Sequence, residues 1–157
     1  MFTGIVQAVT VIKDAVRTSE GLLLTLQMPS RWRLKPGDSV ATDGVCLTVE
    51  KKTGCEYQCR LLPETLAKTT FGYRVPSQVN VEQSLVAGDK IHGHFVTGHV
   101  DCTGTITEIK VQGDSHTMKI EFPAQYKKWC ASKGSICIDG VSLTVVSVGR
   151  GLTLEGF

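Results

Sequence analysis

Hydrophobic residues alternate with polar ones in many short stretches of the chain, which is the pattern of half-buried β-strands. These stretches are rich in Val, Leu, Ile and Thr, end at Gly, Pro, Asp or Ser, and cover 6–12, 21–28, 38–51, 57–62, 78–83, 104–111, 116–122, 134–148 and 152–157. Helical patterns are sparse: 30–35 and 124–130 predict a turn or two each, and 63–70 predicts a short helix beginning near Pro63. Many short strands with few helices predict an all-β barrel or sandwich.

The chain repeats itself at a nearly constant offset. The pair Thr3-Gly4 lies 94 positions before Thr97-Gly98, and the octet TDGVCLTV (42–49) lies 96 positions before IDGVSLTV (138–145). The change of two positions falls in a predicted loop, where an insertion is tolerated. Ordered matches of this kind predict two copies of one β domain, which we assign to residues 1–93 and 94–157.

The second copy is shorter than the first. With the offset of 96, the last residue, Phe157, corresponds to Leu61 of the first copy. In the first copy a predicted helix and a further strand follow Leu61, and the second copy has no counterpart of either. We therefore expect the second barrel to lack its last strand, which leaves an open sheet edge. This predicts either a truncated chain or a second domain that something else completes.

Composition narrows the class of protein. Of the 157 residues, 41% are hydrophobic and 20% are charged, which is typical of a soluble globular chain. The net charge of +2 comes from both signs scattered along the chain, so nothing indicates nucleic acid or a membrane surface as a partner. The apolar runs are too short to span a bilayer, and the N-terminal MFTGIVQAV lacks the features of a secretion signal. We expect a cytoplasmic protein.

Cysteine and histidine are the residues with metal or redox chemistry. The six cysteines do not form a dense framework, so we expect reduced thiols rather than three disulfides. His92, His94 and His99 fall within HGHFVTGH (92–99), with the first two alternating as they would on a strand. They could converge on a metal ion, cap turns at a domain junction, or supply an acid or base near neutral pH. Because no carboxylate motif accompanies them, we expect no metal site.

The repeated octets carry the second set of candidates. Their Asp-Gly pairs predict tight turns, after which Val45, Leu47 and Val49 face one side of a strand while Cys46 and Thr48 face the other. In the second copy the corresponding polar residues are Ser142 and Thr144. These small polar faces could simply pack under a loop, or they could line a ligand site with thiol and hydroxyl groups. The duplication makes two equivalent sites for two similar ligands possible.

Six motifs in order identify a family. MFTGIV (1–6), GDSVATDGVCLTV (37–49), LLPETLAKTTFG (61–72), VNVEQSL (79–85), GHFVTGHVD (93–101) and IDGVSLTV (138–145) closely resemble riboflavin synthase of the trimeric type, and the likeness covers essentially the whole chain. The resemblance implies two tandem six-stranded Greek-key barrels followed by a C-terminal helix that holds a homotrimer together. In this chain we expect the second barrel to lack its last strand and that helix.

The resemblance also implies a reaction and a substrate. Two molecules of 6,7-dimethyl-8-ribityllumazine dismutate by transfer of a four-carbon unit, giving riboflavin and 5-amino-6-ribitylamino-pyrimidinedione without a metal or organic cofactor. The N-terminal barrel of one subunit would face the C-terminal barrel of a neighbour, so that the ligands stack in a reactive arrangement. The lumazine-binding antenna proteins of luminous bacteria share this fold, and a non-catalytic lumazine or flavin carrier is therefore the alternative.

The matching motifs assign roles to residues of this chain. Catalytic candidates are His99, Ser142, Asp139, Cys46 and Lys133; substrate-binding candidates are Phe2, Thr3, Gly4, Ser39, Thr48, Leu62, Thr65, His94 and Thr144. The base for the C7 methyl proton stays open between His99 and Ser142, assisted by Asp139. His92 replaces the glycine usual in the family. We expect the 157-residue chain to be monomeric and either weakly active or inactive, and the complete protein to be the enzyme.

Overall fold

The first half of the chain is a closed barrel. The computed structural model describes residues 1–113, 115–149 and 151–155. Six antiparallel strands close in the order β1-β2-β5-β4-β3-β6. They are β1 (Ala8–Thr18), β2 (Gly21–Gln27), β3 (Ser39–Thr42), β4 (Val45–Thr53), β5 (Glu56–Leu61) and β6 (Gln78–Gln83). This confirms the predicted all-β class.

The second half is an open sheet of five strands. Its antiparallel order is β7-β8-β11-β10-β9, with β7 (Thr105–Gln112), β8 (Ser115–Glu121), β9 (Ser135–Ile138), β10 (Val141–Val148) and β11 (Leu152–Glu155). Strands β7 and β9 form its edges, and within the described residues no sixth strand joins them. The expected open edge is confirmed. Phe157, used above to align the copies, lies outside the described residues.

Helices are few, as the sequence predicted. Helix α1 (Pro63–Lys68) begins at Pro63 and is followed by a 3₁₀ helix at Thr70–Gly72; another 3₁₀ helix covers Ala124–Trp129. The predicted helical turn at 30–35 is wrong beyond a turn at 30–31. There Trp32 and Leu34 are both buried, and side chains two positions apart share a face only in extended chain. In the described part of the chain, no helix has the length and apolar character needed to cross a membrane.

Each half has its own hydrophobic core, built from alternate residues of its strands. The first core is formed mainly by β2, β4 and β5, including Leu22, Leu24, Leu26, Val45, Leu47, Val49, Tyr57, Cys59 and Leu61. The second contains Met118, Ile120, Leu143, Val145, Leu152 and Leu154. A small third cluster of Phe2, Ala41 and Val96 lies where the halves meet. The contact between the two halves therefore has a small apolar cluster of its own, separate from both cores.

Candidate functional site

The repeated octets form matching hairpins, as predicted. Asp43-Gly44 joins β3 to β4 and Asp139-Gly140 joins β9 to β10, with φ of 45° and 77° in the first turn and 45° and 85° in the second. Two successive positive φ angles are typical of the two-residue turns that join twisted antiparallel strands. Beyond each turn the polar residue faces away from the core: Cys46 and Ser142 are half-buried, whereas Thr48 and Thr144 are exposed.

Each half contributes a backbone carbonyl that accepts a hydrogen bond from an octet strand of the other half, β10 or β4. The Ser142 N–H donates to the Gly4 carbonyl at 2.7 Å, and the Cys46 N–H donates to the Gly98 carbonyl at 2.8 Å. Gly4 and Gly98 are equivalent in the repeat, so the two contacts are related by an approximate two-fold axis. We call residues 1–5 and 95–99 the crossing segments. An added Cβ at Gly4 or Gly98 would approach the facing Cβ to 2.8 or 2.7 Å, so only glycine fits there.

The crossing segments also pair with each other. Phe2 and Val96, again equivalent in the repeat, exchange backbone hydrogen bonds of 2.7 and 3.0 Å as an isolated antiparallel bridge. The Phe2 side chain is fully buried in the third cluster, with Cys46 and Cys137 packed against it. Phe2 is therefore a structural centre of the inter-repeat contact in this chain.

A buried carboxylate that sequence reasoning missed holds the first crossing segment. Glu82 is only 4% exposed and accepts hydrogen bonds from the Thr3 N–H at 2.7 Å, the Thr3 hydroxyl at 2.6 Å and the Gly4 N–H at 3.0 Å. In β6 the alternation of Val79 and Val81 predicts that Glu82 faces outward. The sequence gives no signal that the N-terminal segment then covers it.

His94 and Ser142 meet across the repeat boundary. The His94 Nδ1 lies 2.8 Å from the Ser142 Oγ, and the His94 N–H donates to the Thr3 carbonyl at 3.0 Å. Partial burial lowers the pKa of His94, which favours the neutral imidazole. A neutral ring nitrogen can accept the serine proton, so this pair can move a proton at the Ser142 oxygen.

His99 and His92 lie elsewhere. His99 is exposed, donates its N–H to the Thr97 hydroxyl at 3.4 Å, and directly follows Gly98, which places it at the Cys46 side of the contact. His92 is exposed, and residues 92–95 are irregular rather than the strand suggested by their alternation. Among the described residues, no three His, Cys, Asp or Glu side chains are grouped as metal ligands.

The two turn aspartates lie close enough to influence each other. Burial, with a smaller contribution from the charge of Asp139, raises the pKa of Asp43 to about 6, although the hydrogen bond from the Asn80 N–H at 2.7 Å lowers it. Burial also raises the pKa of Asp139, although its residue surface remains largely exposed. The Asn80 side-chain amide donates to the Asp139 carbonyl at 2.9 Å, so Asn80 links both turns. Asn80 was not among the sequence-predicted residues.

The remaining candidates of the first barrel lie on β3, β4 and the segment after β5. Ser39 is opposite Thr48 in the β3–β4 pair. Leu62 is 58% exposed just before α1, and Thr65 is half-buried on α1. This end of the barrel therefore combines thiol, hydroxyl and apolar groups at its surface.

The second half repeats part of this arrangement. Thr144 is opposite Ser135, just as Thr48 is opposite Ser39. Lys133 is exposed, has φ of 66°, and donates its N–H to the Val145 carbonyl at 2.6 Å. Its equivalent in the first copy is Gly37, with φ of 93° and the matching bond to the Val49 carbonyl at 2.9 Å. Lys133 thus occupies a backbone conformation that favours glycine. A strained conformation of this kind at a non-glycine residue is consistent with a functional role for its side chain.

The candidates consequently fall into three groups. One group lies at the contact between the repeats and contains Phe2, Thr3, Gly4, His94, Asp139 and Ser142. A second lies at the first barrel and contains Ser39, Cys46, Thr48, Leu62, Thr65 and His99. The third lies at the second sheet and contains Lys133 and Thr144. Cys46 links the first two groups through Gly98.

Comparison with known sequences gives matches over nearly the whole chain. Residues 3–84 and 97–155 match the lumazine binding domain family. The chain is 38% identical over 151 residues to the riboflavin synthase of Photobacterium leiognathi, which covers 94% of this chain and 69% of that protein. It is 34% identical over 147 residues to the riboflavin synthase of Bacillus subtilis strain 168, covering 92% and 68%.

Solved structures give the same fold. The structure of LumP complexed with 6,7-dimethyl-8-(1'-D-ribityl) lumazine matches with a TM-score of 0.85 at 23% identity, over 99% of this chain and 86% of that one. LumP complexed with riboflavin matches with a TM-score of 0.85 at 21% identity, over 99% and 86%. At these identities the likeness shows a shared fold.

Proposed function

The chain belongs to the riboflavin synthase family of lumazine-binding proteins, and from this premise we propose that it acts as a riboflavin synthase. The substrate is 6,7-dimethyl-8-ribityllumazine, two molecules of which react. One loses a proton from its C7 methyl group and becomes a carbon nucleophile that attacks the other. Transfer of the four-carbon unit then gives riboflavin and 5-amino-6-ribitylamino-pyrimidinedione.

The observation that carries this proposal is the pair of polar faces related by the crossing segments. Cys46 and Thr48 form one face, and Ser142 and Thr144 form its equivalent. Two similar faces suit a reaction between two copies of one molecule, because positioning both ligands supplies much of the rate.

Differences at equivalent positions suit the different roles of the two ligands. His99 follows Gly98 beside the first face, whereas its repeat equivalent, Ile5, follows Gly4 beside the second. The first face carries the Cys46 thiol where the second carries a hydroxyl. One ligand would therefore meet an imidazole and a thiol, and the other an aliphatic group and a serine.

For the proton transfer we favour Ser142 with His94 behind it. The 2.8 Å contact and the lowered pKa of His94 let the imidazole hold the serine proton while the serine oxygen approaches the methyl group. A strong base is not required, because the lumazine ring delocalises the resulting charge and donors directed at its oxygens stabilise it. Asp139 and Lys133 would contact the same ligand, and His99 would serve the opposite one.

Substrate binding at the first barrel would use the surface groups around β4. Thr48 and Ser39 would contact the ligand through their hydroxyls, and Leu62 and Thr65 would close over the pteridine ring. We propose that the chain divides into two domains, residues 1–93 and 94–157.

We also propose that the whole protein is a homotrimer in which each barrel face meets the complementary face of a neighbour. Measurement of the native mass tests this.

Turnover with a single substrate tests the function. The protein is incubated with 6,7-dimethyl-8-ribityllumazine alone, and riboflavin is followed by its absorbance. We expect riboflavin to accumulate, Ser142→Ala and His94→Gln to reduce kcat by about a hundredfold, and Ser147→Ala, an exposed serine on the same strand, to leave it unchanged. Absence of riboflavin from the homotrimeric whole protein, when that protein binds the lumazine, would refute the enzyme.

That last outcome would support the second candidate function, a lumazine or flavin carrier. The solved LumP structures with a lumazine and with riboflavin favour this candidate, since this chain shares their fold. A carrier needs only the first face with Cys46, Thr48 and Thr65. It would change the fluorescence of the bound lumazine without consuming it.

A further inference from the structure

A cavity lies at the end of the first barrel remote from the proposed substrate faces. It has a volume of about 530 Å³ and is lined by Met28, Arg33, Leu34, Lys35, Lys52 and Cys55, among others. That volume falls within the range of small-molecule sites. Cys55 is seven residues beyond Thr48 on the β4–β5 hairpin, which separates the thiol from Thr48 by roughly 20 Å along the hairpin, while Lys52, at the near side of the cavity, is four residues from Thr48.

The cavity is electrostatically one-sided. Three cations, Arg33, Lys35 and Lys52, line it, and no carboxylate among the described residues does. None of the ion pairs found in the described part of the chain involves any of the three. In a chain whose net charge is only +2, this local excess attracts small anions, and Met28 and Leu34 add apolar contact.

The thiol at the rim is held in place by backbone contacts. Gly54 and Cys55 form the two-residue turn between β4 and β5, with Gly54 at φ of 56°. The Cys55 carbonyl accepts hydrogen bonds from the Met28 N–H at 2.7 Å and the Gln27 side-chain amide at 3.1 Å. The turn is therefore fixed against the end of β2, and the thiol stays at the cavity.

The other cysteines are poorer nucleophiles. All six are free, and Cys55 is the exposed one. Burial raises the pKa of Cys59 to about 12 and of Cys137 to about 11, and it also raises the pKa of Cys102 and Cys130. Since the thiolate is the reactive form, these four react slowly at neutral pH. Cys46 is half-buried against the crossing segment.

We propose that this basic cavity binds small disulfides that carry carboxylates, such as oxidised glutathione, and that Cys55 exchanges with them. The Cys55 thiol gives its proton to solvent, and its sulfur attacks one sulfur of the ligand. The bond between the two ligand sulfurs breaks, and its electron pair leaves with the second sulfur as a thiolate. The product is a mixed disulfide on Cys55, formed with no oxidant other than the ligand disulfide.

Competition between disulfides of different charge tests the proposal. The full chain is treated at neutral pH with oxidised glutathione, with the neutral 2-hydroxyethyl disulfide, or with the cationic cystamine, and the modified cysteines are mapped by mass spectrometry. We expect Cys55 to be modified first, and about tenfold faster by oxidised glutathione than by cystamine after correction for the intrinsic rates of the two reagents with a free thiol. Raising the salt concentration should reduce this preference.

Charge-removing variants locate the effect. Arg33→Gln with Lys52→Gln should abolish most of the preference for oxidised glutathione while leaving the rate with the neutral disulfide unchanged. Lys51→Gln, the neighbouring lysine on β4 that does not line the cavity, is the matched control and should have a much smaller effect. Lys52→Gln alone should reduce the preference clearly more than Lys51→Gln does. Equal effects of these two single variants, or no preference for the anionic disulfide in the unmodified chain, would overturn the proposal.

Discussion

The positive φ of Lys133 is evidence that its side chain has a function. It adopts φ of 66° where the first copy has Gly37, and both residues make the same backbone hydrogen bond. A lysine in this left-handed region costs about 1 kcal/mol relative to glycine. A side chain retained at that cost is more consistent with ligand contact than with the turn alone.

We therefore expect Lys133→Gly to stabilise the chain and impair its function. The free energy of unfolding should rise by up to about 1 kcal/mol, while lumazine binding or turnover falls. Urea unfolding and a turnover assay measure the two effects, and Lys127→Gly, at a site without positive φ, is the control that should not stabilise. Equal activity of Lys133→Gly and the unmodified chain would remove Lys133 from the site.

Asp43 gives a prediction about pH. Its pKa of about 6 in the folded chain lies above the ordinary value of 3.8, mainly because of burial. Between pH 4 and pH 6 the folded state therefore holds a proton that the unfolded state has released, so the free energy of unfolding falls as the pH rises through this window. The loss is nearly complete about one unit above this pKa, near pH 7.

Replacing Asp43 with asparagine should remove this loss. Asparagine tolerates positive φ and still accepts the hydrogen bond from the Asn80 N–H. We expect Asp43→Asn to raise the free energy of unfolding by about 1–2 kcal/mol at pH 7.5, allowing for solvent screening, and to have little effect at pH 4. Thermal unfolding at both pH values measures it. The exposed Asp14→Asn should show no such pH dependence, and the same shift in both variants would contradict the role of Asp43.

At the scale of elements, the crossing segments join the two halves. Each contributes a glycine carbonyl to the other half's octet strand, and Glu82 secures one of them through three hydrogen bonds. The contact depends on a close backbone approach that any Cβ would block. The second segment consequently couples the position of His99 to β4, and His94, which directly precedes that segment, is held near β10 by its contacts with Thr3 and Ser142.

Gly98→Ala should break this coupling. The new Cβ would lie 2.7 Å from the Cys46 Cβ and 2.9 Å from its backbone nitrogen, at φ of 78°. We expect a loss of about 3 kcal/mol in the free energy of unfolding, together with loss of lumazine binding. Gly37→Ala is the matched control, because Gly37 has φ of 93° with nothing within 4 Å, so it should cost only about 1 kcal/mol. Similar costs in the two variants would mean that backbone strain alone explains the first.

At the scale of the whole molecule, the internal repeat predicted more of the fold than any single motif did. The alternation of Val45, Leu47 and Val49 against Cys46 and Thr48 correctly predicted which side chains enter the core, since strand geometry alone determines it. The sequence could not predict the contact between His94 and Ser142 or the burial of Glu82. Both arise because a segment crosses to the other half, a long-range placement that local periodicity does not encode. The same limit applies to 30–35, where the burial of Trp32 and Leu34 overrides helical preference.

The unequal completeness of the two halves predicts the number of ligands that bind. In the described residues, only the first half combines a hydroxyl on the octet strand, Thr48, with the Leu62 and Thr65 segment. We expect one molecule of riboflavin, a ligand that the reaction does not consume, to bind tightly per 157-residue chain. Thr48→Val, which keeps the shape and removes the hydroxyl, should weaken this binding about tenfold, whereas Thr144→Val on the second sheet should not. Titration by quenching of riboflavin fluorescence, at a protein concentration far above the Kd, gives the stoichiometry. A titration curve that breaks at two ligands per chain would show that the open sheet also binds riboflavin. Tight binding that is weakened by Thr144→Val and not by Thr48→Val would show the same.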